Sequence, residues 1–232
     1  TTAAVLVNLG KPLEIIEDII IPKLKPGQIL VEIAFAGLCH SQLKEARGDR
    51  GSDPYLPHML GHEGTGVVLD LGEEVQKVVR GDRVILTWLK GQGLDAGGTQ
   101  FIGPKEEKIN AGPVVTFTNH AVVSENRIVK LPPATPMDLA VLYGCALPTG
   151  AGIIFNQMDI NENSNVIIIG LGGIGLSALI AAKILHPNQL IAIDIERKKL
   201  NFVFFQSFSH LIVSANNSSS FIDHLVSESC PP

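Results

Sequence analysis

Short apolar runs alternate with Gly, Pro and Asp along about the first 135 residues of the chain. Runs such as AAVLV, ILVEIAFA, GTGVVLDLG and DRVILTWL are separated by turn-forming segments such as KPGQ and RGDR. Apolar runs of this length, joined by short turns, are typical of β-strands that pair with their neighbours in the chain. The pattern therefore predicts a mostly antiparallel β domain in this part of the chain.

One segment within this region has no regular alternation of polar and apolar positions. Residues 89–113, LKGQGLDAGGTQFIGPKEEKINAGP, are rich in glycine and charged residues. Loops of this length are usually functional or disordered. We therefore expect a long irregular loop here.

The pattern becomes helical in the segment PPATPMDLAVLYGCALPTGAGIIFN, where apolar residues recur three and four positions apart behind a proline. After NENSN, the runs NVIIIG, GIGLSALIAAKILH, LIAIDI, ERKKLNFVFF and HLIVSA predict strand, helix, strand, helix and strand in turn. This βαβαβ order is one half of a doubly wound parallel sheet. We predict a mostly-β domain over residues 1–152 and a partial α/β domain over residues 153–232.

Composition excludes some classes of partner. The net charge is −5, whereas binding to nucleic acid or to an anionic membrane needs clustered Lys and Arg. Cysteines occur only at 39, 145 and 230, which gives no disulfide framework and favours a reducing compartment. The N-terminal residues do not resemble a signal peptide, so we expect a cytoplasmic protein.

The uncharged run VIIIGLGGIGLSALIAA, residues 166–182, is almost long enough to cross a membrane. Its β-branched start, its four glycines and the Lys183 that follows it favour a buried parallel strand leading into a buried helix. We therefore predict no membrane span.

The same run contains a glycine-rich turn between the predicted strand and the predicted helix, Gly170-Leu-Gly172-Gly173-Ile-Gly175. In a dinucleotide-binding turn, glycines at the Gly170, Gly172 and Gly175 positions allow the tight turn, the approach of the pyrophosphate and the packing of helix on strand. Free N–H groups at the helix start would bind the phosphates. A purely structural turn is the alternative, but the strand and helix on either side favour the dinucleotide.

Asp194 ends the next predicted strand, 19 residues after Gly175. A carboxylate at this position accepts hydrogen bonds from the ribose hydroxyls and repels a 2′-phosphate, which favours NAD over NADP. The alternatives are that Asp194 caps the following helix, or that Arg197 weakens the discrimination between the two cofactors.

Two further motifs carry residues that commonly bind metals. Cys39 lies in GLCHSQLK, directly after an apolar strand, and the stretch LGHEGTGVVLDLGEEV contains His62 next to Glu63. Taken singly, Cys145 would be a buried thiol and His62 a hydrogen-bonded structural histidine.

The GHE motif, followed at fixed offsets by two glycines and an aliphatic residue, resembles the signature of the zinc-dependent medium-chain alcohol dehydrogenases. The resemblance extends from about residue 3 to at least residue 215. It implies the α/β class, with a GroES-like mostly-β domain followed by a partial Rossmann doubly wound parallel sheet. It also implies that Cys39, His62 and Cys145 bind one catalytic Zn²⁺ and leave a fourth position open for the substrate.

Further roles follow from the resemblance, residue by residue. Ser41 matches the hydroxyl that relays the proton of the alcohol, and Glu63 matches the glutamate near the zinc. Trp88, the single tryptophan, matches an aromatic residue of the substrate pocket, where a bulky indole would favour small alcohols.

Three other matches concern the cofactor. His40 corresponds to the cationic residue that contacts the pyrophosphate. Thr149, in CALPTG, corresponds to the residue that touches the nicotinamide, and Lys199 to the lysine near the adenosine ribose.

The chain departs from the family pattern at several points. Gln42 stands where relatives have an acidic residue that orients the ligand histidine, and Lys44 stands where many have a relay histidine. Residues 89–113 lack the four clustered cysteines of the family's structural zinc, so we expect at most one zinc. Relatives continue beyond the third strand of the doubly wound sheet, which implies that this chain is truncated at its C-terminal end.

The resemblance implies hydride transfer between NAD and a small primary or secondary alcohol to give an aldehyde or ketone. Alternatives are a polyol or formaldehyde-adduct dehydrogenase of the same superfamily, or a catalytically impaired remnant that binds zinc or nucleotide. The expected partner is a small alcohol or carbonyl compound, with no nucleic acid and no membrane. The full-length parent is expected to be a homo-oligomer.

Overall fold

The computed structural model describes residues 1–205 and 211–214. The chain folds into two compact units, Thr1–Cys145 and a second that begins at Ala146. The boundary predicted between residues 152 and 153 lies seven residues further along, inside the helix Ala146–Gln157. Cys230 lies outside the described residues.

The first unit contains two five-stranded sheets. Its strands in chain order are β1 (Ala3–Leu6), β2 (Glu14–Ile16), β3 (Gln28–Ala36), β4 (His58–Met59), β5 (Glu63–Leu71), β6 (Arg83–Thr87), β7 (Thr99–Ile102), β8 (Lys108–Ala111), β9 (His120–Ser124) and β10 (Ile128–Lys130). The sheet orders are β2-β1-β4-β8-β7 and β10-β6-β5-β3-β9. Of the paired strands described in this unit, β4 and β8 alone run parallel, which confirms the predicted antiparallel architecture.

The core of this unit is formed by residues of the apolar runs that make up its strands. Ile29 and Val31 of β3 are fully buried, and Val84 and Leu86 of β6 are buried in the same cluster. Side chains two positions apart point to the same face of a strand, so each of these pairs faces the core together.

The expectation of an irregular loop over residues 89–113 is wrong. Strands β7 and β8 form an antiparallel hairpin in its second half, in which Phe101 and Ile109 are paired and fully buried. Each strand has only four residues, so too few positions alternate for the pattern to predict a strand.

Helical segments follow β3 and β10 in the first unit, and another opens the second unit. Helix α1 (His40–Arg47) follows β3, and α2 (Met137–Ala140) leads into the 3₁₀ helix Val141–Gly144. Cys145 interrupts the helical backbone with φ −148° and ψ −64°, and α3 (Ala146–Gln157) begins directly after it. The helical pattern of this segment gave no indication of the interruption.

The second unit has the predicted βαβαβ order. Its elements after α3 are β11 (Asn165–Ile169), α4 (Gly173–Ile184), β12 (Gln189–Asp194), α5 (Arg197–Phe205) and β13 (Leu211–Ser214). The three strands are parallel, in the order β11-β12-β13. Buried side chains from α3, α4, β12 and α5 form its core, among them Ile154, Leu179, Leu190 and Val203.

The glycine-rich turn joins β11 to α4. Gly170 has φ 89°, a conformation that side chains other than glycine rarely adopt. A Cβ added to Gly175 would lie 1.7 Å from the carbonyl oxygen of Gly170, so helix and turn approach too closely for any larger residue. A Cβ added to Gly172 would meet nothing within 4 Å. Gly175 is therefore required by packing, whereas Gly172 is not.

Among the described residues no single helix is long and apolar enough to cross a membrane; Met137–Gly144 and Ala146–Gln157 meet that test only when joined as a bent pair.

The contrast between Gly175 and Gly172 gives a prediction. Gly175→Ala should lower the free energy of unfolding by about 1–3 kcal/mol, the usual cost of forcing extra volume into a packed site. Gly172→Ala is the matched control and should change it by less than about 0.5 kcal/mol. Urea denaturation of both variants measures the effect, and equal destabilisation would contradict the packing argument.

Candidate metal centre

The three predicted metal ligands converge in the first unit although they are far apart in the chain. One ligand atom from each of Cys39, His62 and Cys145 lies within 4.8 Å of the other two. His62 Nε2 is 3.3 Å from Cys145 Sγ. Cys145 is buried, and Cys39 and His62 are half-buried. The donors are therefore two sulfur atoms and one imidazole nitrogen.

Local backbone geometry positions each ligand. Cys39 is the last residue before α1, where the chain turns from β3 into the helix. His62 follows Gly61, whose φ is 95° and whose added Cβ would lie 2.2 Å from Thr116 Oγ1. Glycine is therefore the residue that fits before His62.

Cys145 lies at the interruption between the 3₁₀ helix and α3. The hydroxyl of Thr87, at the end of β6, donates a 2.7 Å hydrogen bond to the carbonyl oxygen of Gly144. This bond ties the residue before Cys145 to the strand next to β5. The interruption thus places the thiol beside the strand that begins directly after His62.

Gln42 joins two of the ligands through its side-chain amide. Its oxygen Oε1 accepts a 3.0 Å hydrogen bond from the backbone N–H of Cys39, and its nitrogen Nε2 lies 2.7 Å from His62 Nδ1. The Cys39 N–H requires an acceptor, so the amide nitrogen faces the histidine. Gln42 is buried, and its side chain spans the first turn of α1.

This orientation has a consequence for His62. An amide nitrogen donates only, so Nδ1 of His62 must accept, and the proton of the neutral ring then lies on Nε2. Nε2 is the nitrogen that faces Cys145. A cation bound at Nε2 would move that proton to Nδ1, and Gln42 would have to turn its oxygen towards His62. A carboxylate at position 42 could accept from Cys39 and His62 together.

Burial lowers the pKa of His62 below its ordinary value, and the positive charge of Arg50 lowers it further. Both effects keep the imidazole neutral near pH 7. A neutral ring has a lone pair to offer a cation, which an imidazolium does not.

Glu63 is buried next to His62 at the start of β5. Two glycines make room for its side chain. A Cβ added to Gly37 would lie 2.5 Å from Glu63 Cδ, and one added to Gly144 would lie 2.7 Å from Glu63 Cβ. These glycines precede Cys39 by two residues and Cys145 by one, so the segments carrying both thiols pack against Glu63.

The other predicted residues of this unit lie near these elements. His40 and Ser41 are the first two residues of α1, with His40 exposed and Ser41 half-buried. Trp88 follows β6, is 45% exposed, and its backbone carbonyl accepts a hydrogen bond from Arg127. An exposed indole at this position is not part of the core.

The predicted nucleotide-binding residues lie in the second unit. Asp194 ends β12 and is buried; its Oδ2 accepts a 2.6 Å hydrogen bond from the N–H of Leu171, inside the glycine-rich turn, and its Oδ1 accepts from Glu196 N–H at 2.7 Å. These backbone hydrogen bonds, from Leu171 first and Glu196 second, hold the pKa of Asp194 below its ordinary value. Lys199 Nζ lies 3.8 Å from the same carboxylate, and Thr149 lies in α3.

The sequence pattern did not identify four residues that position the metal ligands: Gly37, Gly144, Thr87 and Thr116. The two glycines lie two and one residues before predicted cysteine ligands, and that spacing is the signal that could have found them. The threonines come from distant segments, and no local spacing in the sequence connects them with the ligands.

Comparison with known proteins identifies relatives of this chain. Residues 25–133 match the family model for the alcohol dehydrogenase GroES-like domain. The chain is 30% identical to putative alcohol dehydrogenase D of Mycobacterium tuberculosis over 97% of this chain and 67% of that protein. It is 32% identical to S-(hydroxymethyl)glutathione dehydrogenase of Escherichia coli, over 86% of this chain and 60% of that protein.

Among solved structures, an alcohol dehydrogenase zinc-binding domain protein from Burkholderia ambifaria matches with a TM-score of 0.84 and 26% identity, over 98% of this chain and 67% of that chain. The chain thus spans about three fifths to two thirds of the length of these relatives. The sequence identity and the shared architecture show that the chain belongs to the medium-chain alcohol dehydrogenase family.

Proposed function

We propose that the protein carries out zinc- and NAD-dependent oxidation of a small primary or secondary alcohol to an aldehyde or ketone. The alcohol loses a proton from its oxygen and a hydride from its carbon, and NAD⁺ accepts the hydride to become NADH. The reverse reaction consumes NADH and a proton. The observation that carries the proposal is the convergence of Cys39, His62 and Cys145 within 4.8 Å.

The donors fit Zn²⁺. Two thiolates and one neutral imidazole form a ligand set that suits this ion and leaves a fourth position for substrate. When bound there, zinc would polarise the oxygen of the substrate and ease the loss of its proton. Two thiolates also balance the charge of the ion, which makes its burial beside Cys145 less costly.

Residues around the metal ligands would serve the substrate. We assign to the Ser41 hydroxyl, in the first turn of α1, the transfer of the alcohol proton towards solvent. Glu63 lies buried beside His62, where its charge can influence the exchange of ligands. Trp88 would border the substrate, and its bulk favours small alcohols.

The glycine-rich turn would bind the pyrophosphate of NAD. The open space at Gly172 and the free N–H groups at the start of α4 suit an anion, with Gly170, Gly173 and Gly175 shaping the turn. His40 would contribute positive charge to the phosphates, and Thr149 would contact the nicotinamide.

The ribose hydroxyls would bind to Asp194, assisted by Lys199. The Asp194 carboxylate accepts backbone hydrogen bonds from Leu171, Glu196 and Ile195, and its two oxygens have four lone-pair positions in all, so one is left for a hydroxyl donor. Its negative charge would oppose the 2′-phosphate of NADP, so NAD is the proposed cofactor.

Two other functions are supported by specific observations. The 32% identity to S-(hydroxymethyl)glutathione dehydrogenase supports a formaldehyde adduct as substrate. The amide of Gln42, which faces His62 with its nitrogen, supports an impaired remnant that binds metal weakly.

The test of the proposed function is an NAD-reduction assay with short primary and secondary alcohols, a polyol and S-hydroxymethylglutathione. It uses the 232-residue chain loaded with Zn²⁺. Cys39→Ser and Cys145→Ser should lower kcat/KM for the preferred alcohol by at least about 10²-fold because each removes a metal ligand. Cys230→Ser is the matched control and should leave it unchanged. Absence of NADH formation by the zinc-loaded chain with every substrate would support the remnant.

The orientation of Gln42 predicts that metal affinity is below what this ligand set allows. Gln42→Glu should bind Zn²⁺ about 10–100-fold more tightly, the range found when the partner of a ligand histidine changes. A carboxylate accepts from Cys39 and from His62 at once. Competition with a chromophoric chelator measures the affinity, and Gln157→Glu serves as an exposed control. An unchanged affinity in Gln42→Glu would show that the amide already serves both ligands.

The role of Asp194 predicts cofactor preference. Asp194→Asn should reduce the ratio of NADH to NADPH affinity by about 10-fold or more, since it removes a charged hydrogen-bond acceptor and the repulsion of the 2′-phosphate. Fluorescence titration with both nucleotides measures the ratio, and Glu162→Gln is the exposed control. A preference for NADPH in the unmodified chain would refute the assignment.

A further inference from the structure

A second group of potential metal ligands lies in the first unit, outside the Cys39–His62–Cys145 centre. It comprises Glu45 in α1, Asp53 in the segment after it, and His58 in β4. Two carboxylate oxygens and one imidazole nitrogen from these residues lie within 4.8 Å of one another. We propose that Glu45, Asp53 and His58 bind a divalent transition-metal cation such as Zn²⁺ or Mn²⁺.

The hydrogen bonds of His58 support this proposal. Its Nδ1 is 3.0 Å from the carbonyl oxygen of Met59, and its Nε2 is 2.9 Å from Asp53 Oδ2 and 3.8 Å from Glu45 Oε1. A carbonyl oxygen only accepts, so Nδ1 donates to Met59, and Nε2 is the nitrogen that a cation lying between the two carboxylates would bind. Metal-binding histidines commonly donate from the other ring nitrogen to a backbone carbonyl in this way.

Both ring nitrogens of His58 therefore face oxygen acceptors. A metal ion bound at Nε2 would lie between the ring and the two carboxylates and be shared by all three groups. His58 is buried, and its contact with the Met59 carbonyl oxygen holds the ring in this orientation.

The spacing of the donor atoms suits a single ion. Metal–ligand distances of about 2.0–2.2 Å place neighbouring ligand atoms about 3.0–3.6 Å apart in octahedral or tetrahedral coordination. The 2.9 Å between His58 Nε2 and Asp53 is close to this range, and the 3.8 Å between His58 Nε2 and Glu45 would have to shorten slightly as Glu45 turns towards the ion. The ligand oxygens of Glu45 and Asp53 lie within 4.8 Å of each other. A cavity of about 940 Å³, lined by all three residues and by His62, leaves room for water ligands.

The charges favour a divalent cation. Two carboxylates and a neutral imidazole carry a charge of −2, which such an ion neutralises. Arg50 opposes binding, because its guanidinium lies 3.7 Å from Glu45 Oε2. The Arg50 side chain is 56% exposed, so it can turn into solvent when the ion binds.

A cation at this site would connect elements that also shape the first metal centre. Helix α1 carries both Gln42 and Glu45, and β4 leads through Gly61 into His62. The second ion would therefore hold α1 and the segment after it against β4. It would add a second metal to the one zinc predicted from the sequence, in a site made of oxygen and nitrogen donors.

The test is titration of the 232-residue chain with Co²⁺, followed by calorimetry and by absorption. We expect the chain to bind two equivalents of Co²⁺. The equivalent bound by Cys39, His62 and Cys145 produces a thiolate-to-cobalt charge-transfer band, and the equivalent bound by Glu45, Asp53 and His58 produces none. Glu45→Gln should abolish the second binding event and leave the band unchanged. Glu17→Gln is the exposed control and should keep both. Circular dichroism checks that each variant is folded.

A third variant tests the electrostatics. Arg50→Gln should raise the affinity for Co²⁺ at the Glu45–Asp53–His58 site about 2- to 5-fold, the effect expected from removing one exposed competing charge. A single equivalent in the unmodified chain, or a second that survives in Glu45→Gln, would overturn the proposal. The result is distinguishable from failure of the proposed function, because loss of the charge-transfer band in Cys39→Ser reports on the first centre alone.

Discussion

The close approach of three backbone segments around Glu63 is the constraint on which the metal centre depends. Cys39 and Cys145 come from distant segments of the first unit, and glycines at 37 and 144 let both segments pack against Glu63 beside His62. Proteins pack at near-crystalline density, so even one extra methyl group at these positions would push a thiol away from the other ligands. The glycines, although they bear no functional group, thus set the distances between the donors.

Much of the architecture could be predicted from the sequence because buried strands and helices require apolar residues. These residues appear as short runs in strands and at spacings of three and four in helices. The strands around Ile29, Val31 and Leu86 are short apolar runs bounded by turn residues, and the second unit shows the strand–helix order of a doubly wound sheet. The hairpin containing Phe101 and Ile109 was not predicted, since its four-residue strands are stabilised by pairing and by the core. The pattern of residues along one segment reveals that segment's own periodicity. Such short strands are stabilised by residues that are distant in the chain, so the pattern does not reveal them.

Part of the candidate site could likewise be predicted from the sequence, whereas another part depends on tertiary packing. The ligands Cys39 and His62 belong to motifs whose spacing could be recognised, and the resemblance to a known family supplied Cys145. The interruption of the helix at Cys145 and the contact of Thr87 with Gly144 arise from tertiary packing. The group formed by Glu45, Asp53 and His58 was also not predicted from the sequence, because these residue types are common on protein surfaces and their spacing matches no known metal-binding motif.

The single side-chain oxygen of Gln42 has a consequence for the metal-free protein. In that state Cys39 N–H, the Gln42 amide and the ring of His62 are all mutually satisfied, and the start of α1 is held in place. An ion that arrives at His62 therefore meets a preformed hydrogen-bond network, and its binding requires that network to rearrange.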